Sequence, residues 1–170
     1  MPLKTKENIS LIGAGLSGPV MATYLSSLGF STDIYESRSD MRTNSTSAGR
    51  SINLALSARG IKALKDIGVY EKIKPTLIPM SGRMIHDGNG DVHLQPYGQK
   101  KNEVIYSVPR SNLNKTLMDY AESTNNVNFN FDHELQDIDL KRLKLRFQDR
   151  NIPFSRILGS DGASSKVREF

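Results

Sequence analysis

With 170 residues, 37% hydrophobic and 24% charged, the chain suits one core-forming domain, or a domain and a piece of another. It has no cysteine, which excludes disulfides, thiolate catalysis and a cysteine-based metal site. Its 23 Lys+Arg and 18 Asp+Glu leave a net charge of +5, scattered without a basic block; this reads as a solvated surface compatible with an anionic cofactor, not as a nucleic-acid platform, which would interleave aromatic and basic residues.

The N-terminus, Met1 to Asn8, is polar and lacks a signal-peptide core, and no apolar run approaches the roughly 18 residues of a membrane span. These features predict a soluble, cytoplasmic chain without a membrane segment. The apolar run Ile9-Ser10-Leu11-Ile12 then leads into Gly13-Ala14-Gly15-Leu16-Ser17-Gly18, a G-x-G-x-x-G pattern at a strand-to-helix junction. Gly13 permits the tight turn, Gly15 lets a pyrophosphate approach the backbone, and Gly18 lets the helix pack close to the strand. The first helical N–H groups have no intrahelical partner and suit an anion. The pattern predicts a helix from near Gly15 or Leu16, with Pro19 tolerated in its first turn, Val20, Tyr24 and Leu28 on its buried face with Met21 and Leu25 beside it, and Gly29 as its stop. Phe30 to Tyr35 reads as a second strand ending at Glu36, placed to bind a ribose hydroxyl.

Ser39 to Arg50 reads as a long polar surface loop, with order resuming at Ser51-Ile52-Asn53-Leu54-Ala55-Leu56. Ser57 is positioned to cap a helix carrying Ile61, Leu64 and Ile67, ended by Gly68; Pro75 and Pro79 break the chain again. Met80 to Asp87 and Asp91 to Gln95 flank Gly88-Asn89-Gly90 as a hairpin. Val104 to Val108 reads as a strand. Ser111 is expected to cap a helix with the stripe Leu113, Leu117, Met118 and Ala121. Val127 to Phe131, Leu135 to Leu140, Leu143 to Phe147 and Phe154 to Leu158 read as strands, the third with a wet basic face of Lys144 and Arg146. The last runs into Gly159-Ser160-Asp161-Gly162-Ala163. The order predicts an α/β fold: a doubly wound, Rossmann-like core with a β-rich insertion. Residues 1–75 are expected to form the dinucleotide-binding βαβ region, 76–108 the hairpin insertion, and 109–170 the helix, strands and Asp-Gly corner. His86, His93 and His133 are too scattered for a metal site, and Ser51, Ser57 and Ser111 read as caps or turns, not nucleophiles.

Several stretches carry a wider likeness: Gly13 to Gly18, Tyr35-Glu36-Ser37-Arg38, Gly49-Arg50-Ser51-Ile52-Asn53-Leu54-Ala55-Leu56-Ser57, Gly82-Arg83-Met84-Ile85-His86, Gln95-Pro96-Tyr97-Gly98, Arg110-Ser111-Asn112-Leu113-Asn114 and Gly159 to Ala163. In this order, over essentially the whole chain, they resemble the flavin-dependent aromatic hydroxylases, and within them those that act on L-kynurenine. The resemblance implies binding of FAD, reduction by NADPH, reaction with molecular oxygen and hydroxylation of the L-kynurenine ring to 3-hydroxykynurenine. It also implies that Gly13, Gly15, Ser17, Gly18, Tyr35, Ser37, Arg38, Ala55, Arg110, Leu135 and Asp161 serve the FAD site, with Glu36 on the adenosine ribose, and that Arg83 and Tyr97 hold the substrate carboxylate. No protein acid, base or nucleophile is required, because the flavin carries the redox step. The family continues past the Asp-Gly corner into a second flavin motif, Gly-Asp-Ala-Ala-His. The resemblance therefore implies that these residues are the N-terminal portion of a longer enzyme, inactive alone and inclined to self-associate through surface the remainder would cover. The alternatives are a non-catalytic nucleotide-binding module or remnant, and an FAD-dependent hydroxylase of another aromatic substrate. A nicotinamide dehydrogenase domain fits the Asp-Gly corner and the loop after Glu36 less well.

Overall fold

A computed structural model describes residues 7–43, 52–100 and 103–170. The chain opens with β1 (Asn8–Ile12), α1 (Ser17–Ser27) and β2 (Ser31–Tyr35). There follow β3 (Asn53–Leu56), α2 (Ala58–Asp66), α3 (Tyr70–Ile73), β4 (Ile78–Met80), β5 (Gly82–His86), β6 (Val92–Pro96) and β7 (Ile105–Pro109). Then come α4 (Arg110–Glu122), β8 (Val127–Asn130), β9 (Asp137–Asp139), β10 (Lys144–Arg146), β11 (Asn151–Pro153) and β12 (Arg156–Gly159). The chain divides into two compact units, Met1–Gly49 with Asn114–Phe170, and Arg50–Leu113. The Ser39 to Arg50 loop beyond Thr43, and Gly49, Arg50 and Ser51 of the quoted stretches, lie outside the described residues.

The first unit is built on a wholly parallel sheet in the order β12-β1-β2-β8. Strand alternation sends Leu11 and Ile34 to one face, where they pack with Ala14, Ala22, Met118, Ala121 and Val127. It sends Ile12 and Tyr35 to the other, against Leu135, Ile138, Leu145 and Phe147. Helices therefore cover one face and the antiparallel sheet β11-β10-β9 the other. This is the expected α/β class with its Rossmann-like core. The alternation read in β10 holds: Leu145 is buried between exposed Lys144 and Arg146, while Leu143 occupies a left-handed turn position with φ 52°.

The buried face of α1 differs from the expected one. Gly18, Pro19, Ala22 and Thr23 are buried, whereas Met21, Tyr24 and Leu28 are exposed. The cause is distance: a Cβ on Gly18 would lie 2.1 Å from the carbonyl oxygen of Gly13, so only small residues fit between helix and sheet. The helix ends as expected. Gly29 has φ 89°, its N–H donates to Ser26 O and that of Phe30 to Leu25 O, a Schellman closure. Gly68 closes α2 in the same way through Lys65 O and Leu64 O. Ser57 stands at the N-cap of α2, where its side chain makes no capping hydrogen bond.

The second unit holds the sheet β3-β7-β4 and the hairpin β5-β6. Pro79, expected to break the chain, instead lies within β4, an edge strand, where a missing N–H is tolerated. Ser111 is not a cap: α4 already includes Arg110, whose N–H donates to Ile52 O beside the β3 ladder. The stripe Leu113, Leu117, Met118 and Ala121 is buried as expected. β11 has no counterpart in the sequence reading.

Within the first unit, Arg42 ties the chain after β2 to α4. Its guanidinium pairs with Asp40 at 2.7 Å, Asp119 at 3.1 Å and Glu122 at 2.7 Å, and lies over the stacked rings of Phe129 and Phe131. Hydrogen bonding to Arg42 holds Asp40 below the usual carboxylate range. Arg42→Lys keeps the charge and loses the planar fork. It is expected to cost about 1–3 kcal/mol, read as a Tm lower by several degrees; an unchanged Tm would show that the cluster is only a surface ion pair.

Candidate functional site

The glycine loop between β1 and α1 is clasped from three directions. From β2, the Gly13 N–H donates to Tyr35 O at 2.8 Å, and the Ala14 N–H donates to Glu36 Oε2 at 2.8 Å. From α4, Asn114 Nδ2 donates to Ala14 O at 3.1 Å. From the residue after β12, the Ser160 hydroxyl donates to Gly13 O at 2.8 Å and to Ile12 O at 3.0 Å. Gly13 has φ 101°, and a Cβ there would lie 2.6 Å from Ser160 O. Gly15 is the opposite case, with nothing within 4 Å of an added Cβ. Its outer side is open, beside the N-terminus of α1, which carries no acidic residue in its first turn and no side-chain cap. Ser17 is the exposed first residue of that helix. The arrangement is receptive to an anion.

Glu36 is only 5% exposed. Its Oε1 accepts from Arg38 Nε at 2.7 Å, Arg38 N at 3.0 Å and Ser37 Oγ at 3.3 Å. Burial acts to raise its pKa, but the hydrogen bonds from Arg38 and Ala14 outweigh it and hold the carboxyl below its usual range. Glu36 is thus an anion at neutral pH, and Oε2, with one donor, keeps acceptor capacity for a hydroxyl. Beside it lies a small pocket lined by Glu36, Arg38, Ser39, Met41, Met118 and Phe131. Tyr35 is a core residue whose ring meets Phe147 at 4.9 Å, and burial raises its hydroxyl pKa.

Two further expected FAD residues of this unit are engaged within the protein. Leu135 is buried in the core between the two sheets. The Asp161 carboxylate accepts from Ser165 Oγ at 2.6 Å, Lys166 N at 2.7 Å and Val167 N at 3.2 Å. Burial acts to raise its pKa, and these bonds outweigh it and lower it. In the second unit, Ala55 lies on β3 and Arg110 opens α4. Sequence reasoning missed Ser160 and Asn114. Both stood inside quoted stretches, but no local spacing marks a residue that closes a loop more than 90 positions away.

The hairpin β5-β6 brings Arg83 and Tyr97 to one face. Arg83 stands opposite Gln95. The Tyr97 N–H donates to Ser81 O, which continues the ladder by one step and puts Tyr97 on the side of Gln95 and Arg83. The other face is mostly apolar, with Met84 56% and Leu94 54% exposed as an opposed pair and His86 opposite Val92 at the turn end. Among the described residues no group of His, Asp and Glu could hold a metal ion, and no helix is long and apolar enough to cross a membrane.

The FAD binding domain family matches residues 6–170. The chain is 40% identical over 168 residues to a kynurenine 3-monooxygenase of Legionella pneumophila (strain Corby), covering 96% of this chain and 37% of the relative. It is 40% identical over 168 residues to that of Anopheles gambiae (95% and 35%) and 37% identical over 169 residues to that of Drosophila melanogaster (96% and 36%). The chain thus spans little more than a third of the length of these curated relatives. Among solved structures, a tetrameric 2-methyl-3-hydroxypyridine-5-carboxylic acid oxygenase has a TM-score of 0.80 at 20% identity, over 97% of this chain and 42% of its own. A p-nitrophenol 4-monooxygenase from Pseudomonas putida has a TM-score of 0.75 at 18% identity, over 98% and 43%. At such identities these two share the fold.

Proposed function

The chain belongs to the FAD binding domain family, and from that premise we propose that it holds FAD for the NADPH- and oxygen-dependent hydroxylation of L-kynurenine to 3-hydroxykynurenine. The observation that carries the reading is the open side of Gly15, at an uncapped helix N-terminus beside the buried, anionic Glu36. A pyrophosphate fits the first, and ribose hydroxyls fit the second. Met41, Met118 and Phe131 give the small hollow beside Glu36 an apolar side. The choice of L-kynurenine is supported by the names of the relatives that match 95–96% of the chain.

FAD, when bound, supplies the redox chemistry, and this chain's residues bind and orient. Arg83 and Tyr97 receive the carboxylate of the amino-acid side of kynurenine. A guanidinium fork takes a carboxylate through two parallel bonds, and a phenol adds one directed donor. Anchored at that end, the substrate loses rotational freedom before it reacts, which is how positioning lowers a barrier.

Two measurements test the reading. ADP titrated calorimetrically is expected to bind wild type and to lose at least about tenfold in affinity with Gly15→Val, since the new side chain occupies the space of the pyrophosphate. Equal affinities would remove the pyrophosphate from Gly15. L-kynurenine titrated into the 15N-labelled chain is expected to bind Arg83→Lys about 10- to 100-fold more weakly than wild type, with ADP affinity unchanged. A loss of ADP binding with kynurenine affinity intact would make Arg83 structural.

A further inference from the structure

Arg83 is not alone on its face of the hairpin. Gln95, the residue directly opposite, accepts the Arg83 Nε–H on its Oε1 at 2.8 Å. Holding Nε from the side fixes the plane of the guanidinium and leaves its terminal nitrogens as the free donors. Only the oxygen of an amide can accept an N–H, so the Gln95 NH2 is turned away from Nε and remains a donor. Tyr97 stands two positions further along the same face. Neither β5 nor β6 contains an acidic residue. In the connecting turn, the Asp87 carboxylate accepts the N–H groups of Asn89 and Asp91. Among the described residues, no carboxylate lies within ion-pair distance of Arg83. The face therefore presents a guanidinium end, an amide NH2 and a phenol, with no anion among the described residues to satisfy them.

We infer that Gln95 is a positioning and selectivity residue: it orients Arg83 and adds its own NH2, so that the hairpin takes an aromatic amino acid by its carboxylate and discriminates against the same ring bearing only an amine. This rests on the reading of Arg83 and Tyr97 given above. A purely structural glutamine would hold the hairpin together without setting any preference between acid and amine.

The test is an NMR titration of the 15N-labelled chain with L-kynurenine and, separately, with its decarboxylated amine, following backbone amides and the Arg83 Nε–H. Wild type is expected to prefer the acid. Gln95→Ala is expected to weaken acid binding about three- to tenfold, to leave amine binding unchanged and to keep the hairpin's amide shifts. Gln95→Glu, nearly the same shape, keeps the acceptor but pairs its charge with Arg83 and repels the ligand; it is expected to lose the preference altogether. If Arg83→Lys loses the preference while Gln95→Ala or Gln95→Glu keeps it in full, the inference about Gln95 is overturned and the reading of Arg83 stands. A wild type without preference overturns both.

Discussion

Gly13→Ala is expected to destabilise the first unit by about 2–6 kcal/mol. The lower part of that range comes from forcing a side chain into a left-handed conformation, about 1–3 kcal/mol; overpacking against backbone adds a similar amount. The native φ is 101°, and the new Cβ would meet Ser160 O at 2.6 Å, Ser160 C at 2.7 Å and Asp161 Cα at 2.8 Å, none of which belongs to a side chain that could swing away. Gly18→Ala meets Gly13 O in the same manner. Gly15→Ala is the control: its Cβ touches nothing, so stability should stay within about 0.5 kcal/mol of wild type. Urea unfolding of the three variants separates Gly13 and Gly18, which the fold requires, from Gly15, which it does not. A Gly13→Ala chain as stable as wild type would mean that Ser160 does not clasp the loop.

Glu36→Ala is expected to cost about 2–5 kcal/mol at neutral pH, because it removes charge-assisted hydrogen bonds and leaves the Ala14 N–H without its buried partner. Arg38 is mostly exposed and can turn to water, which keeps the loss from reaching that of a fully buried pair. The effect has a definite pH dependence. The folded-state pKa of Glu36 lies below its ordinary value, so its contribution is complete above the unfolded pKa of about 4.3. It disappears as pH falls through the lower, folded value. The stability gap between wild type and Glu36→Gln should therefore be constant above about pH 5 and close in acid. A gap that widened in acid would mean that Glu36 is protonated in the folded protein.

The two predictions also mark what local pattern reveals. G-x-G-x-x-G and the acidic residue just after β2 are set by spacing along a single βαβ unit, and both were legible. The hairpin was legible because Gly88-Asn89-Gly90 stands between two strand-like runs, and Gly90 takes φ 89° there. The buried side of α1 was not, because a search for large apolar residues at helical spacing finds Val20, Tyr24 and Leu28. The close approach of helix to sheet selects Gly18 and Ala22 instead. Pro79 was misread for a related reason: whether a proline breaks a strand depends on which of its edges has a neighbour. Asn114, Ser160 and Gln95 act on partners brought near by the fold, and nothing in their own surroundings along the chain sets them apart.

The clasp by Ser160 also orders events in time. Its hydroxyl reaches back 147 residues to the Gly13 carbonyl, and β12, which flanks β1, arrives with it. At a synthesis rate of about 5–20 residues per second, the glycine loop waits roughly 7–30 s after leaving the peptidyl-transferase centre before its last restraint is even made. During that interval β1 has β2 on one side and an unpaired edge on the other, an edge that invites pairing with another chain. A nascent chain that ends before Ser160 carries the glycine sequence without its clasped conformation, and a chaperone that shields the free edge of β1 during that wait would protect the docking of β12.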